Sequence, residues 1–180
     1  MLDDELVRAA ASGDGDAFSA LVDRHRTAAL RIAYAIADGE AEDVAQDATA
    51  KAFRQLGRFD ATRPFRPWYL AIVSNEARNR RRSFRRRSAL VLRVAAETST
   101  GTSDEADAVE GMARTERRQY LLDAIARLAI TDREVIAMRY FAELSEAEMA
   151  TALQVAPGTV KSRLSRAMAR LRTELAGGPP

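Results

Sequence analysis

Basic and hydroxyl side chains are concentrated near the C-terminus, in the stretch APGTVKSRLSRAMARLR at 156–172. Arginine and lysine bind phosphate oxygens and, together with serine and threonine, hydrogen bond to base edges in the major groove of DNA. An apolar residue recurs every three or four positions along this stretch, which predicts a helix with one buried side. The side chains that we predict to contact DNA from its other side are Thr159, Lys161, Ser162, Arg163, Ser165 and Arg166.

The turn signals before and within this stretch predict a helix-turn-helix. Ser145 and Glu148 form an S-x-x-E capping box, which begins a short helix. Pro157 suits the first turn of the following helix, where its missing N–H has no partner. A short helix, a tight turn and a basic second helix are typical of a DNA-reading motif. The alternative is a helical hairpin whose basic face is only solvated.

A second basic segment, NEARNRRRSFRRRSALVLR at 75–93, holds eight arginines and one acid in a chain whose net charge is only +2. A block of one sign indicates a partner of the other sign: nucleic acid, an acidic lipid surface or an acidic protein segment. Aromatic residues precede the block, and stacking surfaces beside a positive groove suit single-stranded nucleic acid. The alternatives are a core position for Trp68 and a solvated helix end for Asn75, Arg78 and Asn79.

An acidic segment, DGEAEDVAQDA at 38–48, carries charge of the other sign. Asp43 and Asp47 lie one helical turn apart, where like charges repel each other, and this arrangement indicates an external basic partner. Gln46 adds a hydrogen-bonding group beside them. Because carboxylates near a helix N-terminus are also stabilised by the helix dipole, a solvated acidic face is the alternative.

The composition predicts an all-α protein that holds these segments on helices. Alanine, leucine and arginine dominate, aromatic residues make up only 6% of the chain, and alternating β-branched runs are missing. The chain contains no cysteine and one histidine, which excludes disulfides and a zinc or iron site of thiolates or imidazoles. That histidine, His25, lies on an apolar helix stripe, and we predict that it is packed. No metal and no cofactor are expected.

Charge and composition divide the chain into two small helical domains. Residues 95–111 are rich in Ser, Thr, Gly and Ala and contain five acids but no base, so they predict a flexible linker. We place the domains at 1–90 and 114–176 and the flexible acidic linker at 91–113. In the first domain, helices are expected from Asp14 or Asp16 to before Gly39, from Glu40 to Leu56, and from the end of RPFRP into the arginine block.

Two absences bear on the location of the protein. No stretch reaches the roughly 18 apolar residues that span a membrane, and the acidic N-terminus lacks the layout of a signal peptide. These features predict a cytoplasmic protein. The lipid alternative for the arginine block is disfavoured, because a helix on a membrane surface needs a broad apolar face beside its charge.

Three segments in order, EDVAQDA, FRPWYLAIVSNEARNRRR and APGTVKSRLSRAMARLR, with the acidic linker between the last two, resemble those of a bacterial sigma factor. The resemblance is to the small two-domain, extracytoplasmic-function (ECF) group of the sigma-70 family, and it covers nearly the whole chain. It implies a transcription initiation factor and not an enzyme. The first domain corresponds to the family's conserved region two and the second domain to its region four.

The resemblance also implies the partner of each segment. Core RNA polymerase would bind Glu42, Asp43, Gln46 and Asp47 through its β′ clamp helices, and its β flap is a further expected contact. The helix-turn-helix would read the −35 promoter element. An anti-sigma factor, often anchored in the membrane, is the expected regulator, and no small-molecule substrate is expected. The residues that would bind and help to melt the −10 element, including a loop for a flipped-out base, are Phe59, Asp60, Phe65, Asn75, Arg78, Asn79 and Arg82.

Three positions depart from the usual pattern of the family. Gln154 stands in the turn where glycine is expected, so we expect strain there. Ala156 replaces the usual hydroxyl cap before Pro157, which leaves an amide without a side-chain partner. The segment LAITDREV replaces a leucine–proline entry, so the start of the following helix is predicted only to within a residue or two.

Two other classes of protein compete with this interpretation. An ordinary helix-turn-helix regulator would bind duplex DNA directly and use its first domain for sensing or dimerisation. A sigma factor would bind DNA weakly when alone and core polymerase tightly, and the acidic segment and the arginine-aromatic segment favour it. A nuclease is disfavoured, because the sequence has no clustered histidines, no phosphate-cradling glycine loop and no plausible set of metal ligands.

Overall fold

The computed structural model describes residues 2–37, 40–94 and 109–176, with side chains at 2–37, 40–83 and 116–176. Within these ranges the chain forms eight α-helices and no strand, which confirms the predicted all-α class. A 3₁₀ turn (Leu56–Arg58) follows the third helix and a π-helical turn (Ala137–Phe141) follows the sixth. The helices are α1 (Asp3–Ala11), α2 (Gly15–Ala37), α3 (Ala41–Gln55), α4 (Phe65–Val94), α5 (Val109–Arg127), α6 (Ile130–Ile136), α7 (Glu146–Leu153) and α8 (Pro157–Ala176).

The first domain is a bundle of α1 to α4, in which α4 packs against both α2 and α3 and α1 packs across α2. Side chains recurring at three and four residues, such as Leu21, Ile32 and Ile36 of α2, are fully buried between these helices. Asp14 caps α2, because its Oδ1 accepts the N–H groups of Asp16 and Ala17 at 3.0 Å each. The predicted start and end of α2 are therefore confirmed.

The acidic N-terminus forms α1, a helix that the sequence-based expectations did not include. Asp3 of α1 lies against α2, where it contacts Arg24 and lies 2.8 Å from Nε2 of His25. Burial alone would raise the pKa of the Asp3 carboxyl, but hydrogen bonds and charge from Arg24 and His25 together lower it below its ordinary value. His25 is packed as predicted, with 8% of its surface exposed.

The start of α4 differs from the prediction by a few residues. The helix was expected after the RPFRP stretch at 63–67, but it begins inside it, at Phe65. Pro67 then lies in the first turn, where a missing N–H costs no intrahelical hydrogen bond. The other end of α4 reaches Val94, and α5 begins at Val109, so helix covers both ends of the segment 91–113. Residues 95–108, the middle of the predicted linker, lie outside the described residues.

The second domain is formed by α5 to α8, with α8 packed against α5, α6 and α7. Pro157 is the first residue of α8, as predicted. The helix before the π-helical turn begins at Ile130, and the carbonyl of Ala129 accepts the N–H groups of Asp132 and Arg133. In the described part of the chain, no helix combines the length and apolar character that crossing a bilayer requires.

The turn between α7 and α8 contains the strain that the sequence predicts. Gln154 adopts the left-handed conformation, with φ 54° and ψ 45°, and the next N–H, that of Val155, bonds to the carbonyl of Ala150. A residue with a Cβ pays about 1 kcal/mol or more in this conformation, which glycine adopts without that cost. Ala156 closes the turn through its carbonyl, which accepts the N–H groups of Thr159 and Val160.

Replacing the strained residue by glycine should stabilise the protein. We expect Gln154→Gly to raise the free energy of unfolding by about 0.5–1 kcal/mol, because the left-handed turn no longer strains a side chain. Chemical denaturation followed by circular dichroism measures this change. Gln119→Gly is the matched control. Gln119 is exposed inside α5, where glycine should lower the free energy of unfolding by about 1 kcal/mol. Equal losses in both variants would show that the turn is not left-handed.

Candidate nucleic-acid interface

The candidate DNA contacts of the second domain lie on the side of α8 opposite its buried stripe. Val160 and Ala167 are fully buried and Leu171 nearly so, because this stripe packs against the preceding helices. The predicted helix-turn-helix is therefore present as α7 and α8, with a basic outer face. Its exposed candidates are Lys161, Ser162, Ser165 and Arg166, and its half-buried candidates are Thr159 and Arg163.

Two of these side chains also bond to their own helix. The hydroxyl of Ser162 donates to the carbonyl of Thr159 at 3.1 Å, and Nε of Arg166 donates to the carbonyl of Ser162 at 3.2 Å. These bonds hold both side chains close to the helix surface. The guanidinium of Arg166 carries further N–H groups, so an anion such as phosphate can still be bound.

The beginning of α7 is fixed by the predicted capping box. The backbone N–H of Ser145 donates to Oε2 of Glu148 at 2.8 Å, and the N–H of Glu148 donates to the Ser145 hydroxyl at 3.2 Å. Arg66 of α4 lies 3.3 Å from the same carboxylate. Burial alone would raise the pKa of Glu148, but the bonds from Ser145 and the Arg66 guanidinium hold it below its ordinary value.

The candidate −10 contacts on α4 fall into two groups. Asn75, Asn79 and Arg82 are exposed. Arg78 is instead engaged by the second domain, because its Nη1 lies 3.2 Å from both carboxylate oxygens of Glu134 on α6. The side chains of the later arginines of the arginine block, Arg85, Arg86, Arg87 and Arg93, lie outside the described residues.

Glu134 is a buried carboxylate whose described hydrogen-bond donors both come from the other domain. Its side chain is 5% exposed. In addition to Arg78, the hydroxyl of Ser74 on α4 donates to it at 2.6 Å. A buried charge without such partners would be costly, so these bonds link α6 to α4, while α4 itself packs on α7 and α2 packs on α6.

Two more arginines of the first domain bond to the end of the π-helical turn. Arg31 donates to the carbonyl of Phe141 at 3.3 Å, and Arg66 donates to the carbonyl of Ala142. We call this placement of the two domains, with the bonds of Arg31, Arg66, Ser74 and Arg78, the closed arrangement. No pattern in the sequence pointed to these contacts, because their partners are 56 to 110 residues apart.

The loop between α3 and α4 has an aromatic base and a polar tip. Phe59 is half-buried, with its ring centroid 4.5 Å from that of Trp68. Asp60 is exposed, and its Oδ1 accepts the N–H and the hydroxyl of Thr62 at 3.0 and 2.6 Å. These two bonds lower the pKa of the Asp60 carboxyl. The tip is thus ordered by a local turn of the Asx type.

Phe65 does not lie where a direct DNA contact requires it. It is 2% exposed and packs beneath the loop, stacked on Tyr69 at 5.6 Å between ring centroids. The helix begins at this residue, which directs its side chain into the core. Phe65 therefore supports Phe59 and Trp68, to which its ring is also adjacent, and its predicted role as a base contact is corrected.

The acidic candidates lie together on α3. Glu42, Asp43, Gln46 and Asp47 are all exposed on this helix, and Asp38 lies outside the described residues. Arg80 of α4, which belongs to the arginine block, reaches this surface and pairs with it. In the described residues no group of three or more metal-ligating side chains occurs.

Both domains match known protein families. Residues 21–88 match the family model of Sigma-70 region 2, and residues 118–171 match the model of Sigma-70, region 4. The RNA polymerase sigma factor NccH of Alcaligenes xylosoxydans xylosoxydans is 32% identical over 172 residues, which cover 94% of this chain and 92% of NccH. The ECF RNA polymerase sigma factor SigL of Mycobacterium tuberculosis is 33% identical over 174 residues, 94% of each chain.

The likeness extends to the arrangement of the whole chain. The structure of CnrH in complex with the cytosolic domain of CnrY superposes with a TM-score of 0.73 at 30% identity, over 98% of this chain and 99% of CnrH. The chain thus contains region two followed by region four, and its relatives match it over nearly their whole length. This chain belongs to the sigma-70 family of RNA polymerase sigma factors, in its extracytoplasmic-function group.

Proposed function

We propose that this protein initiates transcription by binding core RNA polymerase and directing it to promoters with −10 and −35 elements. A single chain carries both an exposed acidic surface on α3 and an exposed basic helix-turn-helix, and these surfaces lie within the matched regions two and four. This observation carries the proposal. Each surface suits a different partner. The protein acts by binding and not by catalysis, and it works in the cytoplasm, where core polymerase is found.

The −35 element is the partner proposed for α8. An α-helix fits the major groove, where lysine and arginine read guanine edges and phosphates. Lys161, Ser162, Ser165 and Arg166 are exposed together on the side away from the core, which is the geometry that such readout needs. Thr159 and Arg163 are half-buried at the edge of this face and are proposed as flanking contacts.

The −10 element is the partner proposed for α4 and the loop before it. Asn75, Asn79 and Arg82 supply exposed amides and a cation, and Phe59 and Asp60 form the loop that would receive an unstacked base. Arg78 bonds to Glu134 through Nη1 and its side chain is 42% exposed, so its other N–H groups can contact phosphate in the closed arrangement. Opening of the closed arrangement would free its whole guanidinium for the promoter.

The acidic surface of α3 is proposed to dock on core polymerase. Its carboxylates are exposed and carry the charge that basic residues of a partner would bind, and Gln46 can hydrogen bond beside them. The β′ clamp helices are the proposed partner, with the β flap as a contact of the second domain. An ordinary helix-turn-helix regulator does not need such a surface.

An anti-sigma factor is the proposed regulator. The chain superposes on CnrH, a sigma factor solved in complex with the cytosolic domain of CnrY, with both domains included. A partner that holds the closed arrangement would keep Arg78 bonded to Glu134 and so limit its contact with DNA. Transcription from a target promoter that continues unchanged with excess cognate anti-sigma factor would contradict this regulation.

Reversing one acidic charge should abolish docking on polymerase. We expect the wild-type protein to co-elute with sigma-free core polymerase in size exclusion, and Asp43→Arg to elute separately, with an affinity at least tenfold weaker because attraction becomes repulsion. Glu116→Arg, the same reversal at an exposed position of α5, is the control and should co-elute. If the wild-type protein does not bind polymerase but shifts duplex DNA on its own, the ordinary regulator is favoured.

Removing the charge of Glu134 should open the two domains. Glu134→Gln keeps a group that can bond to Ser74 but loses the ion pair with Arg78, a charged hydrogen bond worth about 1.5–3 kcal/mol. The distance between the domains is measured by energy transfer between two dyes, attached at Ser19→Cys and Thr173→Cys. Labelling is specific because the chain has no cysteine of its own. We expect energy transfer to fall and the affinity of the free protein for a −10 single strand to rise roughly tenfold.

The control for this measurement lies two residues away on the same helix. Asp132 accepts a bond from Arg170 at 2.6 Å within the second domain, so Asp132→Asn should leave the distance between the domains unchanged. Energy transfer that is equal in wild type and Glu134→Gln would show that the ion pair does not hold the domains together.

A further inference from the structure

Arg80 belongs to the basic block at 75–93, but its side chain pairs with acidic residues. Its guanidinium points at α3, where Nε lies 3.3 Å from Oε2 of Glu40. Its Nη2 lies 3.6 Å from Oδ2 of Asp43 and 3.4 Å from Oδ2 of Asp47. By helical period, Arg80 lies roughly opposite Arg82, which is exposed. Arg80 therefore contacts the proposed polymerase-docking surface and not the proposed DNA-binding one.

The arrangement around Arg80 relieves a repulsion that the sequence alone predicts. Asp43 and Asp47 are one turn apart on α3, and like charges at this spacing destabilise a helix and drive the side chains apart. One nitrogen of Arg80 lies within ion-pair distance of both carboxylates, so the two are drawn toward a common point. Its planar guanidinium can also reach Glu40 with another nitrogen, which a lysine ammonium cannot do in the same geometry.

The two aspartates remain accessible while Arg80 holds them. Their side chains are 68% and 62% exposed, and both contact Arg80 through Oδ2. A basic partner approaching from solvent can therefore bind the carboxylates without displacing Arg80. Fixing the rotamers beforehand lowers the conformational entropy that docking must remove.

We propose that Arg80 is a positioning residue for polymerase docking: it holds Asp43 and Asp47 in the orientation that the basic partner binds, without touching the partner itself. The proposal rests on the docking role proposed above for α3. It assigns this arginine of the basic block to the protein–protein surface. The remaining exposed residues of α4 keep their proposed role toward DNA.

The sign of one measurement separates this role from simple electrostatics. If Arg80 only reduced the negative charge of the surface, its removal would strengthen attraction for a basic partner and raise the affinity for polymerase. If Arg80 positions the aspartates, its removal lowers the affinity, although the surface becomes more negative. The two effects thus change the dissociation constant in opposite directions.

Lys51 provides a matched control for the change in charge. It lies on α3 one turn after Asp47 and pairs with Glu76 of α4, so it also bridges these two helices. Lys51→Gln removes one positive charge close to the docking surface and breaks one bridge between α3 and α4. Its only described ion pair is that with Glu76.

The experiment measures the dissociation constant of fluorescently labelled full-length protein for sigma-free core polymerase. We expect Arg80→Gln to bind about three- to tenfold more weakly than wild type, and Lys51→Gln to bind as tightly as wild type or more tightly. Arg80→Lys keeps the charge with little risk to folding and should restore part of the loss, because one ammonium holds fewer carboxylates. Equal or tighter binding by Arg80→Gln relative to Lys51→Gln would overturn the proposal.

A double-mutant cycle distinguishes positioning from a general loss of structure. In the background of Asp43→Asn and Asp47→Asn, Arg80→Gln should cause no further change in the dissociation constant, because neither of the two docking carboxylates that Arg80 positions remains. The same loss in both backgrounds would assign Arg80 a merely structural role and overturn the proposal. Wild-type affinity of the doubly substituted background itself would instead refute the docking role of α3.

Discussion

The pairing of the buried Glu134 carboxylate constrains how the two domains are placed, beside the packing of α4 on α7 and of α2 on α6. A carboxylate that is almost fully removed from water must be bonded on every side, since an unpaired buried charge costs several kcal/mol. Ser74 and Arg78 supply its described donors, and both come from α4. The packing of α4 on α7, and of α2 on α6 and the π-helical turn, places the rest of the second domain. It also brings the end of the π-helical turn within reach of Arg31 and Arg66.

Helix α4 connects three surfaces because its period assigns neighbouring residues to different directions. Glu76 and Arg80 face α3, where they meet Lys51 and the acidic cluster. Ser74 and Arg78 face the second domain. The exposed residues among them are the ones that remain available to DNA. A single helix can thus relate the proposed polymerase docking and promoter contact to the contact between the domains, without any change in secondary structure.

The sequence predicted those features that depend on short-range rules. The capping box of Ser145 and Glu148, the entry of α8 at Pro157 and the left-handed turn at Gln154 each follow from residues only a few positions apart. The apolar stripe of α8 likewise predicted which of its sides would be buried, and thus where exposed basic residues would lie. Local hydrogen bonding and helical period are sufficient to determine these features.

Features that depend on tertiary packing were not predicted. The burial of Phe65 follows from the early start of α4 and from packing against Phe59, Trp68 and Tyr69. Helical periodicity alone does not predict which of these aromatic side chains is buried most deeply. The runs of charge in the sequence did not predict the partners of Arg78 and Arg80 either. In the sequence both belong to one basic block, yet tertiary contacts assign one to Glu134 and the other to α3.

The two alternative partners of Arg78 have an evolutionary consequence. If Arg78 has the promoter role proposed above, a substitution at this position changes the affinity for a promoter and the stability of the closed arrangement at the same time, so selection acts on both effects together. Asn75, Asn79 and Arg82 are exposed and are not under this double constraint. Among related factors, divergence in −10 preference should therefore accumulate at the exposed positions, while Arg78 and Glu134 should vary together or not at all.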